Sequence, residues 1–157
     1  MAKEIERKFL VNDAVFSILE KVENQYCQQA YLCNDNRKII RVRLLGNKGF
    51  ITIKSRVVGI TRNEFEYEVP FEEAQQMIEL FGENTITKKR YYIPYGSHTW
   101  EVDVFSGENE GLIIAEIELT NEQETFELPN WVEKEVTGEE KYYNANLQQF
   151  PYTKWSK

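Results

Sequence analysis

The first charged residues of the chain alternate in a way that could do chemistry. The run Glu4-Ile5-Glu6-Arg7-Lys8 places two acids and a base at every second position. In a β-strand, Glu4, Glu6 and Lys8 share one face, because side chains two residues apart point to the same side. Two carboxylates and an ammonium group on one face are unusual for a strand face that only contacts water. They are groups that could bind a metal ion and an anion.

The same alternation recurs along the chain. Charged residues of one sign occupy one parity and apolar residues the other, as in Arg41-Val42-Arg43 and Glu116-Ile117-Glu118. Solvated strand faces usually mix charges with Ser, Thr, Asn and Gln, whereas these faces are nearly all charged. The basic residues at these positions are Lys8, Arg41, Arg43, Lys54, Lys88 and Arg90. The acidic residues are Glu4, Glu6, Glu64, Glu66, Glu101, Asp103, Glu116 and Glu118.

Two arrangements of these strands are open. For a single strand, the simpler interpretation is a charged face in water and an apolar face in the core. Taken together, the strands favour a closed barrel whose charged faces point inward and whose apolar faces pack against helices outside. Burial of so many charges is costly unless they pair, bind a metal or bind a polyanion. We therefore expect a functional reason for them.

The two signs of charge predict different ligands. Six cations in one tunnel exceed what a monophosphate requires and suit a chain of phosphates, which Arg and Lys both bind. Carboxylates without His or Cys favour a hard divalent cation, Mg²⁺ or Mn²⁺. Together they predict metal-assisted phosphoryl transfer. The sequence has no GxxxxGK[ST] motif, which excludes a P-loop mechanism.

Composition narrows the class of protein. The chain has 157 residues, and we predict one domain spanning residues 1–157. The net charge of -7 argues against a general nucleic-acid or membrane binder, which would be basic. Cys27 and Cys33 form no metal-binding pattern and predict reduced thiols in a cytoplasmic protein. The single histidine, His98, argues against His-based triads and zinc chemistry.

Period-two patterning predicts mostly strands, which must position these residues. The candidate strands are 3–11, 28–33, 39–45, 49–55, 61–70, 88–94, 99–106, 112–120 and 133–136. Helical patterns cover about 12–22, 72–81 and about 142–150. The pattern predicts a mainly β (α+β) fold, an antiparallel sheet or barrel with helices packed outside.

These motifs resemble the CYTH family, also called triphosphate tunnel metalloenzymes, whose signature is an N-terminal ExExK. The resemblance extends from residue 4 to about residue 147 and implies an eight-stranded antiparallel tunnel that acts on triphosphates with Mg²⁺ or Mn²⁺. The other motifs follow in family order: Arg41-Val42-Arg43, Thr52-Ile53-Lys54, Glu64-Phe65-Glu66-Tyr67-Glu68, Lys88-Lys89-Arg90-Tyr91, Trp100-Glu101-Val102-Asp103-Val104-Phe105, Ala115-Glu116-Ile117-Glu118-Leu119 and Glu135-Val136-Thr137.

The resemblance also implies roles for individual residues. Glu6, Glu116 and Glu118 hold the main metal, with Glu4 near a second metal or the attacking water. Asp103 is a further metal candidate or, with Glu101, an organiser of the bases. Tyr31 is an active-site tyrosine, beside Glu4, Glu6 and Lys8 in the catalytic set, or an aromatic of the barrel. The substrate-binding set is Lys8, Arg41, Arg43, Lys54, Glu64, Glu66, Lys88, Arg90 and Lys134.

The first functional hypothesis is hydrolysis of inorganic tripolyphosphate to diphosphate and phosphate. Alternatives on the same site are a class IV adenylyl cyclase, or a nucleoside or thiamine triphosphatase. A non-enzymatic polyphosphate binder is disfavoured, because such a protein has no use for many carboxylates facing its anion. We expect a small-molecule triphosphate as partner, with no nucleic acid and no membrane, and a monomer or homodimer.

Overall fold

Nine antiparallel strands form one sheet in the part of the chain that the structure describes. The structure is a computed structural model, and it describes residues 3–83 and 85–156. The strands are β1 (Lys3–Val11), β2 (Asn24–Asn34), β3 (Lys38–Leu45), β4 (Lys48–Ser55), β5 (Thr61–Val69), β6 (Ile86–Tyr95), β7 (His98–Phe105), β8 (Ile113–Glu118) and β9 (Val132–Glu135).

Eight of the strands close into a barrel. Neighbours follow the order β5, β4, β3, β2, β6, β7, β8 and β1, and β1 returns to pair with β5. Within the described residues, this closing seam joins Lys3–Ile5 of β1 to residues 61–63 of β5. The short β9 pairs with the far end of β1, at Phe9 and Val11. The predicted mainly β fold with a closed antiparallel tunnel is confirmed.

Apolar side chains form three clusters, two of them against the outer wall of the barrel and one inside it at one end. In the first, Phe9, Trp100 and Trp131 pack edge to face, and the turn around Val15 and Leu19 covers them. The second cluster includes Phe105, Ile114 and Leu147 and closes one end of the interior, because Phe105 and Ile114 share the strand faces of Asp103 and Glu116. The third lies under the helix α2 (Phe71–Phe81), whose Ala74 and Ile78 contact Val42 and Leu44 of β3. The hydrophobic effect therefore acts on the outer wall and at one end of the barrel, which leaves the rest of its interior for charge.

The helices are shorter than the sequence predicts, except for α2. The segment predicted at 12–22 is a 3₁₀ turn, Asp13–Val15, followed by the four-residue α1, Phe16–Leu19. The segment predicted at 142–150 has a helix only at α3, Asn144–Leu147. Tyr143 before it has an extended backbone, with φ −73° and ψ 135°, so no helix can run through that residue.

One strand differs from the prediction at its start, and one predicted hairpin is present. β2 begins at Asn24 rather than at residue 28, because its polar first residues pair with β6 as far as Tyr91. The predicted hairpin between β3 and β4 is present, and Gly46 adopts φ 61° there, a backbone conformation that glycine allows without strain. None of the helices within residues 3–83 and 85–156 is both long and apolar enough to cross a membrane.

Candidate active site

The barrel encloses a polar cavity of about 230 Å³. Each of the eight barrel strands contributes side chains to its wall, and the described lining has seven acidic and seven basic residues. The charged faces therefore point inward, as the alternation predicts. The predicted site residues in the lining are Glu4, Glu6, Lys8, Tyr31, Arg41, Arg43, Lys54, Glu64, Glu66, Lys88, Arg90, Glu101, Glu116 and Glu118.

Carboxylates converge where β1 meets β8. The register places Glu6 opposite Glu118 and Lys8 opposite Glu116. The Lys8 ammonium lies 2.8 Å from a carboxylate oxygen of Glu116 and 3.3 Å from one of Glu6. Burial alone would raise the pKa of Glu116, but Lys8 and Arg90 outweigh it and lower that pKa well below its ordinary value. Glu116 is therefore held as a carboxylate.

The environment of the two neighbouring acids, Glu6 and Glu118, disfavours their charged forms and raises their pKa values. Burial first, and the negative charge of Glu116 second, raise the pKa of Glu6 from 4.5 to about 7 against the opposing effect of Lys8. Partial burial, then the charges of Glu4 and Glu101, raise the pKa of Glu118. Like charges held close together favour a proton or a cation between them.

The chemistry of this donor set fits a hard divalent cation. Glu6, Glu116 and Glu118 offer carboxylate oxygen atoms, which Mg²⁺ and Mn²⁺ prefer. Within residues 3–83 and 85–156, no three acidic, imidazole or thiol groups converge into a ready-formed metal cage. Mg²⁺ is commonly held by one or two carboxylates together with substrate phosphates, so a preformed cage is not required. The assignment of these ligands stays a prediction.

Arg41 and Arg43 form the clearest anion-binding feature of the cavity. Both guanidinium groups approach the same Glu66 oxygen, at 3.4 and 3.2 Å, and Thr52 donates to that oxygen at 2.8 Å. The Nε atoms of both arginines are buried, and neither has a hydrogen-bond partner in the part of the chain that the structure describes. Buried donors of this kind are costly unless a ligand accepts from them. An anionic oxygen atom bound beside Arg41 and Arg43 would supply an acceptor that these donors lack.

Asp103 is a correction to the predicted metal ligands. Its carboxylate is fully buried, does not line the cavity and accepts from Arg90 through both oxygens, at 2.8 and 2.9 Å. Lys88 approaches one of the same oxygens at 2.8 Å. Burial would raise the pKa of Asp103, but Arg90 and Lys88 outweigh it and lower that pKa. Asp103 thus organises two bases of the tunnel, which is the alternative role that the family resemblance implies for it.

Lys134 is a second correction. It lies on β9, which pairs with β1 beyond the carboxylate cluster, and its side chain is 69% exposed. Its ammonium group lies 3.8 Å from Glu139, and the residue is not part of the cavity lining. The structure therefore does not bring Lys134 to the phosphate-binding side chains.

Tyr31 lies both in the apolar packing of the barrel and at the cavity wall. Its ring packs in an apolar cluster at one end of the barrel, and the residue also lines the cavity. The hydroxyl accepts from the Gln29 side chain at 3.0 Å, and burial raises its pKa. A phenol held neutral in this way can donate a hydrogen bond to an anion. The catalytic role of Tyr31 stays a prediction.

Sequence reasoning missed Arg62 and the residues around α3. Arg62 lines the cavity and pairs with Glu4 at 2.9 Å. It shares the parity of Glu64 in β5, which is the signal that could have identified it. Tyr143 and Asn144 also line the cavity, and the Asn144 side chain accepts from Lys88 at 3.2 Å. The segment around α3 therefore contributes polar groups as well as packing.

The fold and the site together define a class of protein. A closed barrel that directs cations, buried donors and adjoining carboxylates into one cavity can bind a polyanion together with a divalent cation. Comparison with known proteins identifies the family, since the CYTH domain matches residues 2–150. The chain belongs to the CYTH family, which confirms the resemblance seen in its motifs.

Relatives of known function are similar over nearly the whole chain. An inorganic triphosphatase of Acetivibrio thermocellus is 44% identical over 153 residues, which cover 97% of each chain. An inorganic triphosphatase of Nitrosomonas europaea is 32% identical over 149 residues, covering 92% of this chain and 95% of that protein. The crystal structure of the inorganic triphosphatase NE1496 superposes with a TM-score of 0.64 at 28% identity, covering 94% of this chain and 95% of that one.

Proposed function

We propose that this chain is a metal-dependent triphosphatase that hydrolyses inorganic tripolyphosphate to diphosphate and phosphate. The observation that supports it most directly is the pair of buried Nε donors on Arg41 and Arg43, unpartnered within the described residues, which lie side by side on one strand in the wall of a cavity lined by further cations. A single phosphate can contact only some of these cations, whereas a chain of phosphates can contact several of them at once. The relatives described as inorganic triphosphatases support the same reaction.

The bases act by binding and by stabilising charge. Lys8, Arg41, Arg43, Lys54, Lys88 and Arg90 bind the phosphate oxygens and stabilise the negative charge that develops on the leaving group. Glu64 lies 3.2 Å from Lys54, and Glu66 contacts both arginines of β3. Because carboxylates repel phosphates, we assign Glu64 and Glu66 to holding these bases in position within the substrate site.

The proposed metal ligands are Glu6, Glu116 and Glu118, with Glu4 close by. A bound Mg²⁺ or Mn²⁺ neutralises phosphate oxygens and orients a water molecule for attack. The choice between the two metals, the single-domain extent of residues 1–157, the cytoplasmic location and the monomeric or homodimeric state all stay predictions.

A substrate panel tests the proposed function. Purified protein with Mg²⁺ or Mn²⁺ is assayed for phosphate release from tripolyphosphate, ATP and thiamine triphosphate, with a metal-chelated sample as control. We expect the highest kcat/KM for tripolyphosphate and no turnover after chelation, because the cavity supplies phosphate contacts along its length. Cyclic AMP as the product from ATP would instead identify an adenylyl cyclase.

The raised pKa of Glu6 predicts that metal binding depends on pH. Below pH 7 the metal must displace a proton from Glu6, so Mn²⁺ affinity falls as the pH drops from 8 to 6, by up to about tenfold per unit. Titration of free Mn²⁺ by electron paramagnetic resonance measures this. Glu6→Gln should bind more weakly and lose most of the dependence. An unchanged affinity across this range in the wild type would remove Glu6 from the metal site.

A further inference from the structure

Arg62 occupies the seam that closes the barrel. Within the described residues, β1 and β5 pair over only a short stretch, where Arg62 lies directly opposite Glu4. The Arg62 Nε lies 2.9 Å from a carboxylate oxygen of Glu4, and the Arg62 side chain is 14% exposed. This ion pair therefore links the two strands on the inner side of the wall.

Three spaces meet at Arg62. The residue lines the tunnel, a narrow slot between β1 and the segment 57–60, and an outer vestibule that Lys38 and Arg56 also line. The carboxylate of Glu4 faces the tunnel and the slot but is not part of the vestibule lining. Arg62 thus approaches Glu4 from the outer end of the tunnel.

Glu4 has two cationic partners, and they are not equivalent. Lys54 lies 3.2 Å from Glu4 and equally 3.2 Å from Glu64, so its single ammonium group is shared between two carboxylates. Arg62 has Glu4 as its ion-pair partner among residues 3–83 and 85–156. A planar guanidinium fixes the direction of the carboxylate that it binds, whereas a lysine acts as a point charge. Arg62 is therefore the partner that can set the orientation of Glu4.

We propose that Arg62 is a positioning residue, which holds the Glu4 carboxylate in its working orientation and does not itself bind the phosphate chain. Its guanidinium donates to Glu4 through Nε, whereas the buried Nε atoms of Arg41 and Arg43 have no hydrogen-bond partner within the described residues. The role in turnover rests on the proposed triphosphatase function. The pairing of Arg62 with Glu4 is a property of the protein alone and can be measured without substrate.

Steady-state kinetics test the role in turnover. Arg62→Gln should lower kcat for tripolyphosphate by about 10- to 100-fold, the usual cost of losing an outer-shell partner, with KM close to that of the wild type. Arg62→Lys should recover part of the loss. Because Arg62 acts through Glu4, the double variant Glu4→Gln/Arg62→Gln should be no slower than Glu4→Gln alone. A rise in KM without loss of kcat, or losses that multiply in the double variant, would overturn the proposal.

A matched control and a spectroscopic readout complete the test. Arg56→Gln makes the same chemical change in the vestibule wall at an exposed residue, and it should leave kcat and KM unchanged. Thermal unfolding establishes that each variant is folded. In the metal-free protein, the Arg62 Nε–Hε resonance should exchange slowly with water, lose this protection in Glu4→Gln and keep it in Glu64→Gln.

The resonance distinguishes failure of the inference from failure of the proposed function. Protection that survives Glu4→Gln overturns the pairing, whatever the substrate. Protection that is lost in Glu4→Gln, in a protein that does not hydrolyse tripolyphosphate, supports the pairing and overturns the proposed reaction together with the turnover role of Arg62.

Discussion

Replacement of Glu116 by Gln is expected to lower kcat for tripolyphosphate by at least about 100-fold, above the usual cost of losing an outer-shell partner, while the barrel stays folded. The substitution removes one negative charge from the carboxylates at the β1–β8 junction. It also leaves Lys8 with Glu6, at 3.3 Å, as its remaining carboxylate partner within the described chain. Glutamine has nearly the same shape as glutamate and can still accept a hydrogen bond from Lys8, so the packing is preserved.

Two measurements separate the causes of this loss. Turnover of tripolyphosphate gives kcat, and Mn²⁺ titration of the free protein reports whether the cation site is weakened in parallel. Glu68→Gln is the matched control, because Glu68 is on β5 with a side chain that is 58% exposed and contacts only the surface residue Lys48 among the described ion pairs. Turnover retained in Glu116→Gln would remove Glu116 from the metal site.

Replacement of Asp103 by Asn is expected to lower the free energy of unfolding by about 3–5 kcal/mol, the usual cost of breaking a buried ion pair. Asp103 is completely buried and neutralises Arg90 and Lys88 at the same time. Asparagine leaves both cations inside the barrel without their main counter-charge. Arg90 retains Glu101 at 3.3 Å and Glu116 at 3.8 Å, which offset only part of the loss because Glu101 is closer to solvent and Glu116 is already paired with Lys8.

Denaturant unfolding of the metal-free variant measures this effect. Glu101→Gln is the control, since it removes an acid two residues away on the same face of β7 whose side chain is 29% exposed, and it should cost clearly less. Mn²⁺ binding by the folded Asp103→Asn protein should persist, because Asp103 does not line the cavity. A stability close to that of the wild type would show that the two bases do not depend on Asp103.

The face of the strand on which Glu101 and Asp103 lie is predictable from the sequence, whereas the depth to which each side chain is buried is not. Period two assigns Glu101 and Asp103 to the same face of β7, and both do point inward. The pattern carries no information on the neighbouring strand, where Arg90 reaches across to enclose Asp103 and leaves Glu101 at the cavity wall. A metal ligand and an organiser of bases therefore look alike in the sequence.

Local alternation fails to place Arg62 in the cavity and wrongly places Lys134 there, for related reasons. Arg62 stands alone in the mixed run Thr61-Arg62-Asn63, so it belongs to no block of one sign and gives a weak signal. Lys134 lies in a charged run, but β9 extends past the barrel and, among the residues that the structure describes, pairs only with the end of β1. Strand pairing decides which charged residues face the cavity, and pairing between distant segments is not encoded in local alternation.

The equal numbers of acids and bases along the tunnel have a consequence for how substrate arrives. Since the described lining is balanced, the net charge of -7 is carried by the rest of the chain. Within about 10 Å of the outer surface, roughly the Debye length in 0.1 M salt, an approaching free polyphosphate therefore meets a repulsive field rather than an attractive one. A polyphosphate already complexed with divalent cations meets a smaller barrier, so the exterior of the protein selects the metal complex before the tunnel makes any contact with it.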